Sequence, residues 1–153
     1  MEVRYDILIA DTEEAAVQVL SNALKPISGR LDAAGTADQA FLFLNKREYD
    51  VVIMDINMPC GSMLELLKQI GRMRPSAEVL VSADNSNLDR LQDIMKKTGV
   101  GGLVKPFDMK DLVKSVEQII KRKKTLILEI EEKDLPGFIK LTRKKFPDII
   151  IRR

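Results

Sequence analysis

Histidine is absent from the 153 residues, and cysteine occurs once, at Cys60. The first absence rules out a His-based metal site, a histidine general base and a phosphohistidine within the chain. The second rules out an internal disulfide. Excess charge is also missing: Lys+Arg 25 against Asp+Glu 23 leaves a net +2, so the overall balance does not point to nucleic acid, an anionic membrane or a polyanionic substrate. No apolar run is long enough to span a bilayer. The opening Met1-Glu2-Val3-Arg4-Tyr5-Asp6 mixes charges of both signs before an apolar run of only four residues, which is not a secretory signal. A cytoplasmic setting is therefore expected. There is no long internal repeat and no low-complexity segment. What remains is a chain of ordinary apolar content, 45%, whose length suits one compact domain with a modest appendage.

Ile7 to Ala10 and Val51 to Met54 are short uninterrupted apolar runs bounded by acids, the pattern of parallel strands buried on both faces. Between them, Ala15, Ala16, Val19, Leu20, Ala23 and Leu24 recur with helical spacing. Pro26 and Gly29 then break the chain before a poorer strand at Leu31 to Ala34. Thr36 and Gln39 read as a capping box for a second helix with Ala37, Ala40, Phe41 and Leu44 inward. A helix carrying Met63, Leu66, Leu67 and Ile70 follows, then a strand at Glu78 to Val81, a helix carrying Leu88, Leu91, Ile94 and Met95, and a strand at Leu103 to Val104. Asp108 caps a last helix with Leu112, Val113, Val116, Ile119 and Ile120 on one side. Five strand–helix units predict an α/β fold, an open, doubly wound parallel sheet of five strands over residues 1–124.

After the basic run Lys121 to Lys124, residues 125–153 read as a short βαβ extension. It has a strand around Leu126 to Ile130, a helix opening at Asp134 with Leu135, Phe138 and Ile139, and a strand at Ile149 to Ile151. The segment is too small for an independent core, so it is expected to dock on the main sheet, on a second subunit or on further sequence as the start of an output region.

Ligands of open parallel sheets bind beyond the carboxyl ends of the strands. Asp11 follows the first strand, Asp55 ends the third, Ser82 ends the fourth and Lys105 follows the fifth. Two carboxylates with a backbone carbonyl suit a hard divalent ion such as Mg²⁺, while the ammonium and the hydroxyl suit phosphoryl oxygens. Asp55 is then the nucleophile that forms an acyl phosphate.

The stretch Asp50-Val51-Val52-Ile53-Met54-Asp55-Ile56-Asn57-Met58-Pro59, with Val81-Ser82-Ala83 and Lys105-Pro106-Phe107 beyond it, resembles the receiver domains of two-component response regulators over roughly residues 4 to 123. The resemblance implies a flavodoxin-like sheet of order 2-1-3-4-5. It implies Asp55 as phosphoacceptor, Asp11 as an Mg²⁺-site acid, and Asn57 as a metal ligand through its backbone carbonyl. It makes Ser82 the hydroxyl that follows the phosphoryl group and Lys105 the phosphoryl-binding ammonium, with the Lys105–Pro106 bond cis. Asn57 and Asp84, two residues after Asp55 and Ser82, would flank the entry of water and tune the acyl phosphate's lifetime.

Three positions depart from the family pattern. Thr12 stands where a second metal-site acid is usual, which predicts weaker Mg²⁺ binding; Glu13 would compensate only if the helix start were displaced. Gly102 stands where an aromatic is common, three before the lysine, so no ring can swing in behind Ser82. Output would then run through the loop after Ser82 or the helix from about Leu88 to Lys97. Met63 replaces a common glycine near the start of the third helix and would reshape the loop containing Cys60 and Gly61.

Taken singly, several of these residues have plainer roles. Asp11 or Thr12 alone would be a helix N-cap, Ser82 a turn hydroxyl, Lys105 a surface cation and Cys60 a loop residue without redox function. Asp55 resists that treatment, because an acid ending an apolar strand is costly to bury without a partner. The runs Lys121 to Lys124 and Arg143-Lys144-Lys145 suit helix C-termini rather than nucleic acid, and the tail lacks the second helix of a helix-turn-helix.

The first functional expectation is a signalling domain, not a turnover enzyme, that catalyses its own phosphorylation and dephosphorylation. Its phosphoryl group would come in trans from a sensor histidine kinase or a histidine phosphotransfer protein, and it would then change affinity for a target protein, with homodimer formation through the tail as a further arrangement. The alternative is a pseudo-receiver, an interaction module that works without phosphate.

Overall fold

The structure, a computed structural model, describes residues 3–124, 127–129 and 150–152. The two apolar runs that stand out in the sequence lie at its centre. Strand β1 (Tyr5–Ala10) is flanked by β2 (Ser28–Ala34) and β3 (Val51–Asp55), and β4 (Glu78–Ala83) and β5 (Gly101–Val104) complete an all-parallel sheet of order β2-β1-β3-β4-β5. Helices α1 (Glu14–Leu24), α2 (Ala37–Lys46), α3 (Met63–Met73), α4 (Leu88–Thr98) and α5 (Met109–Lys124) alternate with the strands. This is the expected doubly wound architecture with the expected strand order.

Alternation along each strand divides the buried residues between two faces. Leu8, Ala10, Val52, Met54, Val79 and Val81 join one cluster with Ala40 and Leu44 of α2, Leu66, Leu67 and Ile70 of α3, and Leu91 and Ile94 of α4. Ile7, Ile9, Val51, Ile53 and Leu80 are buried outside that cluster, and α1 packs on β1 and β2. Every residue of β3 is buried, which explains its unbroken apolar run.

Helix starts follow local chemistry. Thr36 caps α2 by accepting from the Gln39 amide at 3.1 Å, and Gln39 reaches back to the Gly35 amide at 2.9 Å, one residue earlier than the usual capping box. Ser62 caps α3 and Asp108 caps the start of α5. Gly99, in the left-handed conformation at φ 76°, ends α4.

Some expectations at the first helix and second strand need correction. Val19 is 43% exposed and Ala15 is exposed, because the buried stripe of α1 follows Leu20, Ala23 and Leu24 and leaves residues about 100° around the helix at or beyond its margin. Pro26 lies in a 3-10 turn (Lys25–Ile27), but Gly29 is inside β2 rather than in a break. A Cβ at Gly29 would sit 2.9 Å from Asp6 Oδ1. The helix α1 begins after Glu13, so neither Asp11 nor Thr12 is its N-cap.

The amino ends of the strands are laced together by acids. Asp6 Oδ1 accepts from the Arg30 amide and Asp50 Oδ2 from the Asp6 amide, each at 2.8 Å. The Asp50 amide donates to the Asp6 carbonyl and the Glu78 amide to the Asp50 carbonyl, again at 2.8 Å.

The chain divides into two compact units, residues 1–115 and 116–153. In the second, β6 (Ile127–Glu129) and β7 (Ile150–Arg152) pair in parallel, Leu128 opposite Ile151. The helix expected to open at Asp134 lies outside the described residues.

Candidate phosphoryl-transfer site

Strand register brings the chemistry together. Ala10 pairs with Met54, so Asp11, one step beyond β1, is level with Asp55 at the end of β3; Asp55 pairs directly with Ser82 of β4. Lys105 follows β5, its amide donating to the Ala83 carbonyl at 2.7 Å, and the Lys105–Pro106 bond is cis. The Asp11 amide is held by the Ala34 carbonyl of β2 and the Ile56 amide by the Ser82 carbonyl of β4, so the neighbouring strands fix the positions of the two acids.

The side chains converge as the strand ends predict. Lys105 Nζ lies 3.0 Å from Asp11 Oδ2 and 3.4 Å from Asp55 Oδ1, so one ammonium bridges both carboxylates. Asp11 is 2% and Asp55 4% exposed. Asp11 Oδ1 also accepts from the Glu13 amide at 2.9 Å. Ser82 is fully buried, and its Oγ has no hydrogen-bond partner among the described residues. A buried hydroxyl left this way is unusual in a folded protein and marks a place where a polar ligand would be accommodated.

Electrostatics distinguish the bridge's two ends. Burial raises the Asp55 carboxyl above its ordinary 3.8, and the Asp11 charge adds to that; the Lys105 ammonium and the Asn57 backbone N–H pull it back only in part. For Lys105, burial works against the charged form, but hydrogen bonding and charge from Asp11, then from Asp55, outweigh it and raise the ammonium above its ordinary 10.5. The group that is reluctant to ionise is the nucleophile candidate, and the ammonium beside it is firmly charged.

The other expected site residues stand further out. Thr12 and Glu13 are exposed, and no group of three or more Asp, Glu, Cys or His residues that could hold a metal occurs among the described residues. Asn57 is exposed, its side-chain oxygen accepting from Arg90 Nη1 at 3.5 Å. Asp84 Oδ1 takes the Ser86 hydroxyl at 2.6 Å and the Ser86 amide and Asn87 Nδ2, each at 3.1 Å, in the turn that leads into α4. The Ser86 hydroxyl, first among these, holds the Asp84 carboxyl below its usual range. Met63 opens α3 with its side chain buried, and Cys60 is exposed.

The position of Gly102 carries a feature that sequence reasoning did not reach. A Cβ there would lie 2.8 Å from Met95 Sδ and 3.2 Å from Leu91 Cδ2. The space beside β5 is thus taken by two side chains of α4. Only the glycine itself hinted at a close approach. Arg90 was likewise unmarked, since nothing in a helical pattern says which exposed cation will meet the loop after β3.

An acid–lysine–acid bridge thus lies at the carboxyl ends of β1, β3 and β5 of a doubly wound parallel sheet. The family described as the response regulator receiver domain matches residues 7–117, and the chain belongs to it. The chain is 29% identical over 114 residues to the DNA-binding transcriptional regulator NtrC of Azospirillum brasilense, covering 74% of this chain and 24% of that protein. It is 33% identical over 108 residues to NtrC of Bradyrhizobium sp. (strain RP501 Parasponia), covering 70% and 22%. The chain therefore spans about a quarter of the length of these relatives. Among solved structures, the signal receiver domain of an HD domain-containing protein from Pseudomonas fluorescens Pf-5 is 27% identical with a TM-score of 0.70, covering 78% of this chain and 97% of that one. The chemotaxis protein CheY4 of Vibrio cholerae shares the fold, with a TM-score of 0.67 at 23% identity over 76% of this chain and 99% of that one. Receiver domains are signalling domains that generally bind Mg²⁺ at an acidic pocket, and response regulators work with histidine kinases and effector domains. Among the described residues no helix is long and apolar enough to cross a membrane.

Proposed function

We propose that this receiver accepts a phosphoryl group on Asp55 from a phosphohistidine of a sensor histidine kinase or histidine phosphotransfer protein, and that the acyl phosphate changes its affinity for a target protein. The observation that carries this reading is the buried Asp11–Lys105–Asp55 bridge beside the unpartnered Ser82 hydroxyl. The donor histidine lies outside these 153 residues, which contain none.

In the transfer, an ionised Asp55 oxygen forms a bond to phosphorus as the donor's P–N bond breaks, and that bond's electron pair stays on the donor imidazole. Lys105 favours the ionised Asp55 carboxylate against burial and the Asp11 charge, then neutralises a phosphoryl oxygen. Ser82 donates its hydroxyl hydrogen to another, which satisfies a group otherwise left without a partner.

The donor set fits a hard divalent ion: two buried carboxylates, with oxygen the only ligating element. Asp11 and Asp55 would hold Mg²⁺, with the Asn57 carbonyl as a third protein ligand. When bound, the ion would neutralise phosphoryl charge that one ammonium cannot balance alone. Thr12 adds no charge, so binding should be weaker than at a site with two adjacent acids.

Residues 1–124 form the receiver in this reading, and 125–153 an appended βαβ unit or the start of an output region. The parallel pairing of β6 and β7 supports the former. Incubation with Mg²⁺ and acetyl phosphate should give a single phosphoryl adduct by intact mass, lost in Asp55→Asn, and beryllofluoride should shift amide resonances around Ser82 and Lys105. No adduct and no shift, even at high Mg²⁺, would overturn the switch and leave a phosphorylation-independent interaction module.

A further inference from the structure

The two side chains placed two residues beyond Asp55 and Ser82 are both engaged at the start of α4. Asp84 spends one carboxylate oxygen on the turn that opens the helix. Asn57 has its amide oxygen 3.5 Å from the guanidinium of Arg90, on the first turn of α4. Arg90 and Asn57 line one side-by-side cleft of about 440 Å³ with Met58 and Asp93. Asp93 is not a competitor for Arg90, because its carboxylate pairs with Lys97 at 3.0 Å. Arg90 makes no salt bridge among the described residues, so the Asn57 amide is the acceptor its guanidinium meets.

We propose that Arg90 is a positioning residue for the Asp55 acyl phosphate, acting through Asn57 and resting on the phosphoacceptor reading above. Hydrolysis requires a water oxygen to bond phosphorus while the bond from phosphorus to the Asp55 oxygen breaks. The carboxylate is regenerated, and the water's protons leave with inorganic phosphate and solvent. An amide oxygen beside that path can accept a hydrogen from the attacking water and orient it. An amide oxygen occupied by a guanidinium cannot do so as readily. Arg90 therefore withholds Asn57 from the water and lengthens the life of the phosphorylated state. A target that drew Arg90 onto its own carboxylate would shorten that life, and by linkage phosphorylation would alter what Arg90 offers the target.

The test compares wild type, Arg90→Ala, Arg90→Lys, Asn57→Ala and the Arg90→Ala/Asn57→Ala double variant. Each protein is loaded with acetyl phosphate and Mg²⁺, the donor is removed, and adduct loss is followed by intact mass. Gaining or losing one hydrogen bond to the water corresponds to about a two- to tenfold change in rate, so Arg90→Ala should lose phosphate that much faster. Arg90→Lys should recover part of the wild-type lifetime, and Arg90→Ala should have no further effect in the Asn57→Ala background. Melting temperatures should coincide, because both side chains are exposed. An unchanged rate in Arg90→Ala, or an acceleration that persists without Asn57, overturns the proposal. In the unloaded protein, the Asn57 side-chain amide resonances should shift in Arg90→Ala; unmoved resonances overturn the tether by themselves. If wild type takes no adduct, the phosphoacceptor reading fails, and those resonances still decide whether Arg90 holds Asn57.

Discussion

Replacing Asp55 with asparagine should make the protein more stable at neutral pH, although it removes one end of an ion-pair bridge. The carboxylate is 4% exposed and shares one ammonium with Asp11, so two buried negative charges are balanced by one positive charge. In Asp55→Asn the tighter Lys105–Asp11 pair at 3.0 Å survives, the like-charge repulsion with Asp11 disappears, and an amide of the same shape is less costly to bury than a carboxylate. Relieving an incompletely compensated buried charge contributes on the order of 1–2 kcal/mol, or roughly 4–8 °C in melting temperature for a domain of this size. The pH dependence follows from linkage. Asp55 holds its proton more tightly folded than unfolded, because burial and Asp11 raise it above 3.8. Between the unfolded and folded values the native state binds more protons, so the wild-type contribution falls as pH rises through that window. The advantage of Asp55→Asn should therefore be full above the folded-state value and shrink on acidification through it. Thermal melts at a series of pH values measure this directly. A variant less stable than wild type at neutral pH, or a difference that does not change on acidification, would refute the reasoning.

Lys105→Met leaves Asp11 and Asp55 facing each other without a cation and should destabilise by about 2–4 kcal/mol, read from urea midpoints. Because Lys105 is raised above 10.5, its contribution is complete below the unfolded-state value and is lost only as pH climbs through the folded one, so the penalty should hold steady through mildly alkaline pH. Tyr49→Phe removes a 2.6 Å hydrogen bond to Asp32, which keeps Arg47 at 3.3 Å, and should cost about 1–2 kcal/mol. The Tyr49 phenol, pushed up to about 12 by burial and then by Asp32, should show a late step in ultraviolet titration that Tyr49→Phe lacks. Its stabilisation should fade as pH rises from the ordinary tyrosine value toward 12. Gly102→Ala places a Cβ 2.8 Å from Met95 Sδ and should cost roughly 1–2 kcal/mol. Met95→Ala in the same chain should relieve part of it, giving a non-additive double-mutant cycle by denaturant unfolding; strict additivity would show that the contact is not the cause.

Much of the fold was legible because its central strands are buried on both faces. Val51 to Met54 can be little else than an inner parallel strand, and Thr36 and Asp108 announce their helices by capping chemistry that acts within one turn. Burial at the margins was less readable. Val19 and Ala15 share the spacing of Leu20 and Leu24, yet apolar character does not say where a stripe ends. Edge strand β2 carries Arg30 and Asp32 among half-exposed neighbours, so its start at Ser28 left no clear pattern. At the site, the order of Asp11, Asp55, Ser82 and Lys105 along successive strands was enough to place them together, since a parallel sheet brings its carboxyl ends to one rim. What could not be read was the partnering around them. That Lys105 bridges both acids, that Asn57 faces Arg90, and that Met95 and Leu91 fill the space over Gly102 depend on how α4 and the loops pack, which no periodicity records.

The lacing of acids at the amino ends of the strands bears on how the opposite rim can respond. Asp6 and Asp50 tie β1, β2, β3 and β4 through their carboxylates as well as their backbone amides and carbonyls, so relative sliding there would break several short hydrogen bonds at once. At the carboxyl rim the Ser82 hydroxyl has no partner among the described residues and the two acids share the one Lys105 ammonium. In the proposed switch, a change of charge at Asp55 would therefore be met first by Ser82, Lys105 and the loops that follow the strands, while the laced amino rim preserves register.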